Sequence, residues 1–417
     1  MSEPIDFDAL GRIGLGPAQR RQLAYGVAQP LARPMRLVQV QRDHLLLHDG
    51  HHTHRGHCAP ALLHDLASQS EALAVGDWVL AEPSAGGGWR IGWRLLPSHQ
   101  ITRRTLDGRS ADGHRAAQRQ VLVSNVDTAV LVMGLDGDFN PRRLERYLAL
   151  VRLAGVATVL VLSKADTLDA ERCAERLALA RAVLPPGVAV LALDLRQPAA
   201  AQALQPCLQP GQTLVLLGSS GAGKSTLANT VLNAPTHAHI GAQPDAPAGI
   251  AADIPAYAGV GASLRTGAAR IDDSRGRHTT TVRSLLPVPG GACLIDTPGL
   301  RALRLDVAEP EDLAQAFGDV ARLATMCRFR DCQHQAEPAC AVRQALAAPR
   351  LQNFHKLLRE SGRDALDPVQ RQARLAGWKA RSRDAQMRLR AKRDGDREKD
   401  RETVRDDRRN GQREGPR

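Results

Sequence analysis

The chain has 417 residues, enough for two or three domains each with a core of its own, so a lone small module is excluded. Its formal charge of +12 and pI near 10.0 point to a polyanionic partner, and an aromatic share of only 3% argues against a large base-stacking platform and for contact through phosphates and shape. No apolar run approaches the length that crosses a bilayer and the polar start Met1-Ser2-Glu3-Pro4 is no signal peptide, so no membrane is expected and the cytoplasm is the expected compartment.

Residues 1–34, interrupted by Pro30 and Pro34, read as a disordered lead-in. From Met35 the chain changes to short alternating segments such as Arg36-Leu37-Val38-Gln39-Val40 and Trp78-Val79-Leu80-Ala81, with Gly, Ser and His turns between them, which predict a small β-barrel over residues 35–118. The Ser84-Ala85-Gly86-Gly87-Gly88 stretch before Trp89-Arg90-Ile91-Gly92-Trp93 fits a hairpin of that barrel, and residues 99–119 form its exit. His48, His51, His52, His54 and His57, followed by Cys58, read as a solvated barrel loop in preference to a metal site.

From Gln120 apolar runs alternate with helical stretches. Residues 126–133 and 157–162 read as buried strands around an amphipathic helix at 142–153, and 188–193, 213–217 and 292–295 continue them. Such alternation predicts a doubly wound parallel sheet over residues 119–308. The long Pro-, Gly- and Ala-rich segment 234–277 is expected to be a mobile switch region. A helical element follows over 309–365. The tail 366–417 is expected to be disordered, and from Arg371 it holds 17 Lys or Arg against 9 Asp or Glu.

The order of the motifs on this frame is informative. Ser163-Lys164-Ala165-Asp166 ends a predicted strand, and a carboxylate at Asp166 accepts from both N1–H and N2–H₂ of guanine, a pattern adenine does not offer. Gly218-Ser219-Ser220-Gly221-Ala222-Gly223-Lys224-Ser225 satisfies the phosphate-loop pattern between a strand and a helix, with Thr226 next in line. Its glycines turn backbone N–H groups toward phosphates, Lys224 is expected between the β- and γ-phosphates, and Ser225 on Mg²⁺. Asp296-Thr297-Pro298-Gly299 then sets Asp296 near the metal and the Gly299 amide toward the γ-phosphate. The next residue is Leu300, where many GTPases carry the glutamine that orients water. An ordinary GTPase has the phosphate loop first and the base-reading segment last, so this chain is a circular permutation. The permutation leaves the γ-phosphate-sensing turn directly upstream of the C-terminal element.

Between these motifs lies Arg275-Gly276-Arg277-His278-Thr279-Thr280-Thr281. A threonine before a strand completes a Mg²⁺ shell, with Thr280 preferred over Thr279, and His278 is either a group that orients or deprotonates water or a loop residue facing RNA or solvent. The base site usually gains a Ser-Ala companion loop; the corresponding place near Asp194-Leu195 lacks it, and Ser163 stands where Asn or Thr is usual. Cys327, Cys332, His334 and Cys340 supply three thiolates and an imidazole within fourteen residues, a full tetrahedral set for one structural Zn²⁺ with no open position. Cys58, Cys173, Cys207 and Cys293 fit buried small hydrophobes, and no disulfide framework is expected.

Taken together, the permuted order, Gly276-Arg277-His278-Thr279-Thr280-Thr281, Val75-Gly76-Asp77-Trp78-Val79, Asn125-Val126-Asp127, Leu135-Asp136-Gly137-Asp138-Phe139-Asn140 and the Cys/Cys/His/Cys element resemble the RsgA family of ribosome small subunit-dependent GTPases over about residues 35–360. The resemblance implies an N-terminal OB-fold that binds RNA, a central permuted GTPase and a C-terminal helical zinc domain; the basic tail that follows lies outside it. It implies slow GTP hydrolysis, stimulated by the 30S subunit through contact with 16S rRNA, during late maturation of that subunit. Release of the assembly factor RbfA is implied too, as is a catalytic part for His278. A monomer working on the particle is expected; for the tail, the excess of Lys and Arg and not the resemblance suggests an extra RNA tether. Two rivals are a metabolic phosphotransferase and a nucleotide-gated rRNA-binding protein of another ribosomal particle with incidental hydrolysis.

Overall fold

The N-terminal residues fold where a disordered lead-in is expected from sequence. Asp6 accepts from the N–H groups of Asp8 (3.0 Å) and Ala9 (2.9 Å) and so caps α1 (Phe7–Arg12); α2 (Pro17–Gly26) follows. The physical reason is tertiary: Leu10, Ile13 and Leu15 bury themselves in one core with Val38, Val75 and Trp78, which supplies what such short helices lack in isolation. The computed structural model describes residues 5–26, 31–41, 44–109, 115–234, 283–300, 303–307 and 310–364. The chain divides into two units, Met1–Leu106 with Ala117–Ser361 and Asp107–Ala116 with Gly362–Arg417, and the barrel, the α/β core and the Cys/His element belong to the first.

The barrel comprises β1 (Arg33–Val40), β2 (Leu45–His48), β3 (Thr53–Cys58), α3 (Pro60–Ser68), β4 (Trp78–Pro83) and β5 (Trp89–Arg94). Its strand order is β1-β2-β3-β5-β4, and β4 returns to β1 through Arg33↔Ala81 to Arg36↔Trp78, so the five strands close into an OB-like barrel with β3 and β5 parallel. Met35, Leu37, Leu47, Val79 and Ile91 fill it, with Leu62 and Leu66 of α3 packed on the same cluster. The histidine-rich stretch is not the solvated loop expected from sequence, because alternation carries it into paired strands: His48 is buried at the end of β2, His54, His57 and Cys58 lie on β3, and only His51 and His52 occupy the turn between them. His54 Nε2 lies 2.6 Å from Asp49 Oδ2 and His51 Nε2 lies 3.0 Å from Asp6 Oδ2.

The chain leaves through β6 (Gln100–Arg109) and β7 (Arg115–Ser124) and enters the α/β core with β8 (Thr128–Gly134), α4 (Pro141–Leu153), β9 (Ala157–Ser163), α5 (Ala170–Val183), β10 (Ala189–Leu193), α6 (Ala199–Leu204), β11 (Thr213–Leu217), α7 (Lys224–Leu232), β12 (Ser284–Val288) and β13 (Ala292–Asp296). The order is β10-β9-β8-β11-β13-β12, parallel except for β12 against β13. Successive strand residues point to opposite faces, so Leu131 and Met133 of β8 join Leu144 and Leu148 of α4, while Val130 and Val132 join Leu227 and Val231 of α7. This is the expected doubly wound sheet. β12 also pairs with β1 of the barrel at Ser284↔Gln39, which makes one sheet of eleven strands.

The last described segment holds β14 (Arg304–Leu305), paired with β6, then α8 (Pro310–Ala316), α9 (Gly318–Ala324), α10 (Ala341–Ala345) and α11 (Ala348–Asp364). α11 is clamped to α4 and to the start of α9: Arg350 Nη1 donates to Glu145 Oε1 of α4 at 2.8 Å and Nη2 to Asp319 Oδ1 of α9 at 2.9 Å, while the Phe317 and Phe354 rings meet edge-on at 5.4 Å. All seven cysteines are unpaired; Cys293 is buried as expected, but Cys58, Cys173 and Cys207 are only half-buried. The expected switch region from residue 235 on and the tail from 365 lie outside the described residues.

Candidate nucleotide site and metal centre

Three parallel strands, β9, β11 and β13, with β8 between the first two, deliver the expected nucleotide segments at their C-terminal ends. β9 runs into Lys164-Ala165-Asp166, β11 into the phosphate loop, and β13 ends on Asp296, so the segments meet in the crevice where open α/β sheets receive ligands. Ser163 is buried and donates from Oγ to the Ala222 carbonyl at 2.6 Å, so this departure from the usual Asn or Thr still ties the base segment to the phosphate loop. Lys164 sits at φ 60°, and its Nζ reaches Asp136 Oδ2 at 2.6 Å. Burial alone pushes the Asp136 carboxyl up, but the Lys164 ammonium and the Asp138 N–H outweigh it and hold it low.

The phosphate loop is braced from both sides. Ser219 donates from Oγ to Asp138 Oδ1 at 2.6 Å, and Gly223 takes φ +99° against Leu195, whose Cδ1 would lie 2.9 Å from a Cβ at that position. Ser220 and Gly221 at the tip are exposed, whereas Gly218 and Ala222 are buried. Lys224 is buried at the start of α7 and donates to the carbonyls of Gly218 (3.2 Å) and Ser219 (2.7 Å); burial pulls its ammonium down to about 8. Ser225 Oγ stands 3.5 Å from Asp296 Oδ2, and Thr226 follows in the first turn of α7. A Cβ on Gly299 would lie 2.5 Å from Ser220 N, so glycine alone allows this turn against the loop tip. Leu300 donates its N–H to Gly218 O at 3.0 Å and buries its side chain, which leaves no side-chain amide there to orient water. His278, Thr279 and Thr280 lie outside the described residues.

Three polar residues around this crevice escape motif reading. Asp136 and Asp138, in the turn after β8, hold Lys164 and Ser219, and Arg196, after β10, donates to Asp166 Oδ2 at 2.7 Å. The only signal for the two aspartates is their place in Leu135-Asp136-Gly137-Asp138, and nothing local marks Arg196 as a partner of Asp166.

The Cys/His set also converges. Cys327 Sγ lies 3.7 Å from His334 Nδ1 and 3.9 Å from Cys340 Sγ, Cys340 Sγ lies 3.5 Å from His334 Nδ1, and with Cys332 all four ligand atoms fall within 4.8 Å of one another. Zinc bonds to sulfur and nitrogen in a tetrahedron give edges of roughly 3.6–3.8 Å. The residues therefore fit a closed, structural zinc site. His355 Nε2 meets the His334 carbonyl at 3.1 Å and ties the ligand loop to α11. Among the described residues no helix is long and apolar enough to cross a membrane.

Residues 103–306 match the family described as RsgA GTPase. The chain is 46% identical over 295 residues, 69% of its own length and 73% of the relative's, to the Small ribosomal subunit biogenesis GTPase RsgA of Xylella fastidiosa (strain 9a5c). It is 41% identical over 366 residues, 85% of its length and 89% of the relative's, to the protein of that name from Xanthomonas axonopodis pv. citri (strain 306). The fold also aligns with YjeQ from Thermotoga maritima at a TM-score of 0.54 and 22% identity, covering 79% of this chain and 99% of that one. For YloQ, a circularly permuted GTPase, the TM-score is 0.52 at 18% identity, covering 82% and 98%. Identity of this order across most of both chains, on a sheet whose nucleotide segments run in rotated order, means that the chain belongs to the RsgA family and is a circularly permuted GTP hydrolase.

Proposed function

We propose that this GTPase serves ribosome biogenesis, assisting late maturation of the 30S subunit as a cytoplasmic monomer whose slow intrinsic hydrolysis is accelerated by the particle. The observation that carries the reading is the 46% identity to a small ribosomal subunit biogenesis GTPase. The net charge of +12 supports an rRNA partner, here 16S rRNA, and the buried Leu300 in place of a water-orienting glutamine supports a low basal rate that a partner must raise. Release of the assembly factor RbfA is the step that hydrolysis would drive.

At the site, Asp166 accepts from guanine N1–H and N2–H₂ with Lys164 over the base, and residues 218–226 cradle the phosphates. Lys224 turns from its carbonyls to the β- and γ-phosphates, and the Gly299 amide faces the γ-phosphate. Magnesium, held by Ser225, by Thr280 or Thr279 and beside Asp296, would neutralise phosphate charge; His278 is the candidate to position water. The continuous sheet supports communication with RNA-binding parts, since β12 joins both β13, which ends on Asp296, and barrel strand β1. After Asp296, Leu300 and Leu303 accept from Tyr147 Oη (3.3 Å) and Arg146 Nη1 (2.7 Å) of α4, the helix that also holds α11.

The test is GTP hydrolysis by the purified chain with and without 30S subunits, with 50S subunits and ATP as controls. Strong stimulation by 30S alone is expected. Equal rates with either subunit would sink the small-subunit reading and favour a nucleotide-gated RNA binder of another particle.

A further inference from the structure

Asp166 does not stand alone at the end of β9. Arg196 donates from Nη2 to Asp166 Oδ2 at 2.7 Å and is held from behind by Asp194, which accepts from its Nε at 2.9 Å, its Nη2 at 3.1 Å and its main-chain N–H at 3.1 Å. Asp194 thus fixes both the backbone and the guanidinium of Arg196, and the arginine in turn holds the Asp194 carboxyl down to about 2. Three of the five guanidinium N–H groups are thereby engaged; the two on Nη1 meet no acceptor among the described residues. The turn itself is anchored: Leu195 is buried, its carbonyl accepts from Thr230 Oγ1 of α7 at 2.6 Å, and its side chain touches the phosphate loop at Gly223.

A carboxylate only accepts hydrogen bonds, so Asp166 recognises the N1–H and N2–H₂ edge of guanine and leaves the O6 and N7 acceptors to some donor. The Ser-Ala companion loop that usually lies beside the base is missing here, and Asp194-Leu195-Arg196 occupies its place. We infer that Arg196 is a specificity-determining residue that donates to guanine O6 and N7, so that Asp166 and Arg196 form one composite reader of the base; this rests on the GTP reading of the site. The geometry is compatible with both contacts at once. N1–H and O6 are neighbours on the ring, so a donor already at an Asp166 oxygen borders the place of O6, and each carboxylate oxygen has a second lone pair for the base. Nη2 is taken up by Asp166 and Asp194, so the contact to O6 and N7 falls to Nη1, a single-nitrogen version of the arginine contact by which proteins commonly single out guanine in nucleic acids.

The experiment measures displacement of a fluorescent GDP derivative from the full-length chain by GDP, 6-thio-GDP, 7-deaza-GDP, inosine diphosphate and ADP, for wild type, Arg196→Ala and Arg196→Lys. The first two analogues spoil the O6 and N7 acceptors but keep the edge facing Asp166; inosine lacks only the 2-amino group. Wild type should bind 6-thio-GDP and 7-deaza-GDP roughly tenfold more weakly than GDP, and Arg196→Ala should erase that penalty while the inosine penalty persists. Arg196→Lys, which keeps the charge without the fork, should fall between. Unchanged analogue ratios in Arg196→Ala would overturn the inference and leave the GTP reading intact. So would a uniform gain in affinity for every guanine nucleotide, which would mark Arg196 as a cap on Asp166. Equal binding of ADP and GDP by wild type would instead overturn the GTP reading itself. Arg196 is an exposed side chain, so its variants are expected to fold, and GDP binding in the same assay checks this.

Discussion

Lys224 shows how the crevice stores an unfavourable charge for later use. In the unfolded chain its ammonium titrates near 10.5, and burial in the fold lowers this to about 8. Between those values the folded chain binds fewer protons than the unfolded one, so the cost of burying Lys224 is fully present below pH 8 and disappears as pH rises toward 10.5. Polyphosphate beside the amine favours the charged form and restores the proton. GDP binding at about pH 8.5 should therefore take up a fraction of a proton, and affinity should fall as pH climbs further. Calorimetry in two buffers of different ionisation enthalpy reads this directly. Lys224→Ala should lose the uptake; if the variant takes up as many protons as wild type, the lysine is not their acceptor.

At the scale of elements, the zinc loop and the helices around it draw on different sources of order. Cys340, Val342, Phe354 and Leu357 share one core with Leu144, Leu148 and Val151 of α4, and Arg350 and Asn353 both hydrogen-bond Glu145. The Cys327-to-Cys340 connection itself has few buried apolar side chains, so its order depends on metal. Chelation, or Cys332→Ser, should abolish amide protection within residues 326–341 while α4 and the first turns of α11 keep theirs in hydrogen-exchange mass spectrometry. Loss of α11 together with the loop would show that packing on α4 is too weak to act alone. The same contrast explains what sequence could and could not reveal. The phosphate loop and the Cys/His set are contiguous, and β8, β9 and β11 announce themselves as apolar runs because both faces of the sheet are covered. The helices α1 and α2 look like a linker because their few apolar residues gain meaning only against the barrel. Closure of β4 on β1, the two-residue β14 and the Arg196 to Asp166 pair, 30 residues apart, arise from tertiary approach and leave no local pattern.

For the whole molecule, Arg36 gathers three regions at one fully buried side chain. It lies on β1 of the barrel, yet Nη1 donates to Thr213 Oγ1 of β11 at 2.9 Å and to the Ile13 carbonyl after α1, while Nη2 donates to the Asn125 carbonyl before β8 at 2.9 Å. Trp78 of β4 packs on the guanidinium, 5.7 Å from ring centroid to Cζ. With the β1–β12 seam, these bonds make the N-terminal helices, barrel and nucleotide core depend on one another. Arg36→Met keeps the stem volume but strips buried carbonyls of their donors, at a cost of about 3 kcal/mol or more. Wild type should unfold in one calorimetric transition that GDP moves upward as a whole, because ligand binding to any part stabilises everything coupled to it. In Arg36→Met a lower transition should separate and ignore GDP, leaving the nucleotide core to respond alone. A variant that still melts as one GDP-sensitive unit would show that the strand seam is sufficient and that Arg36 is an accessory to it.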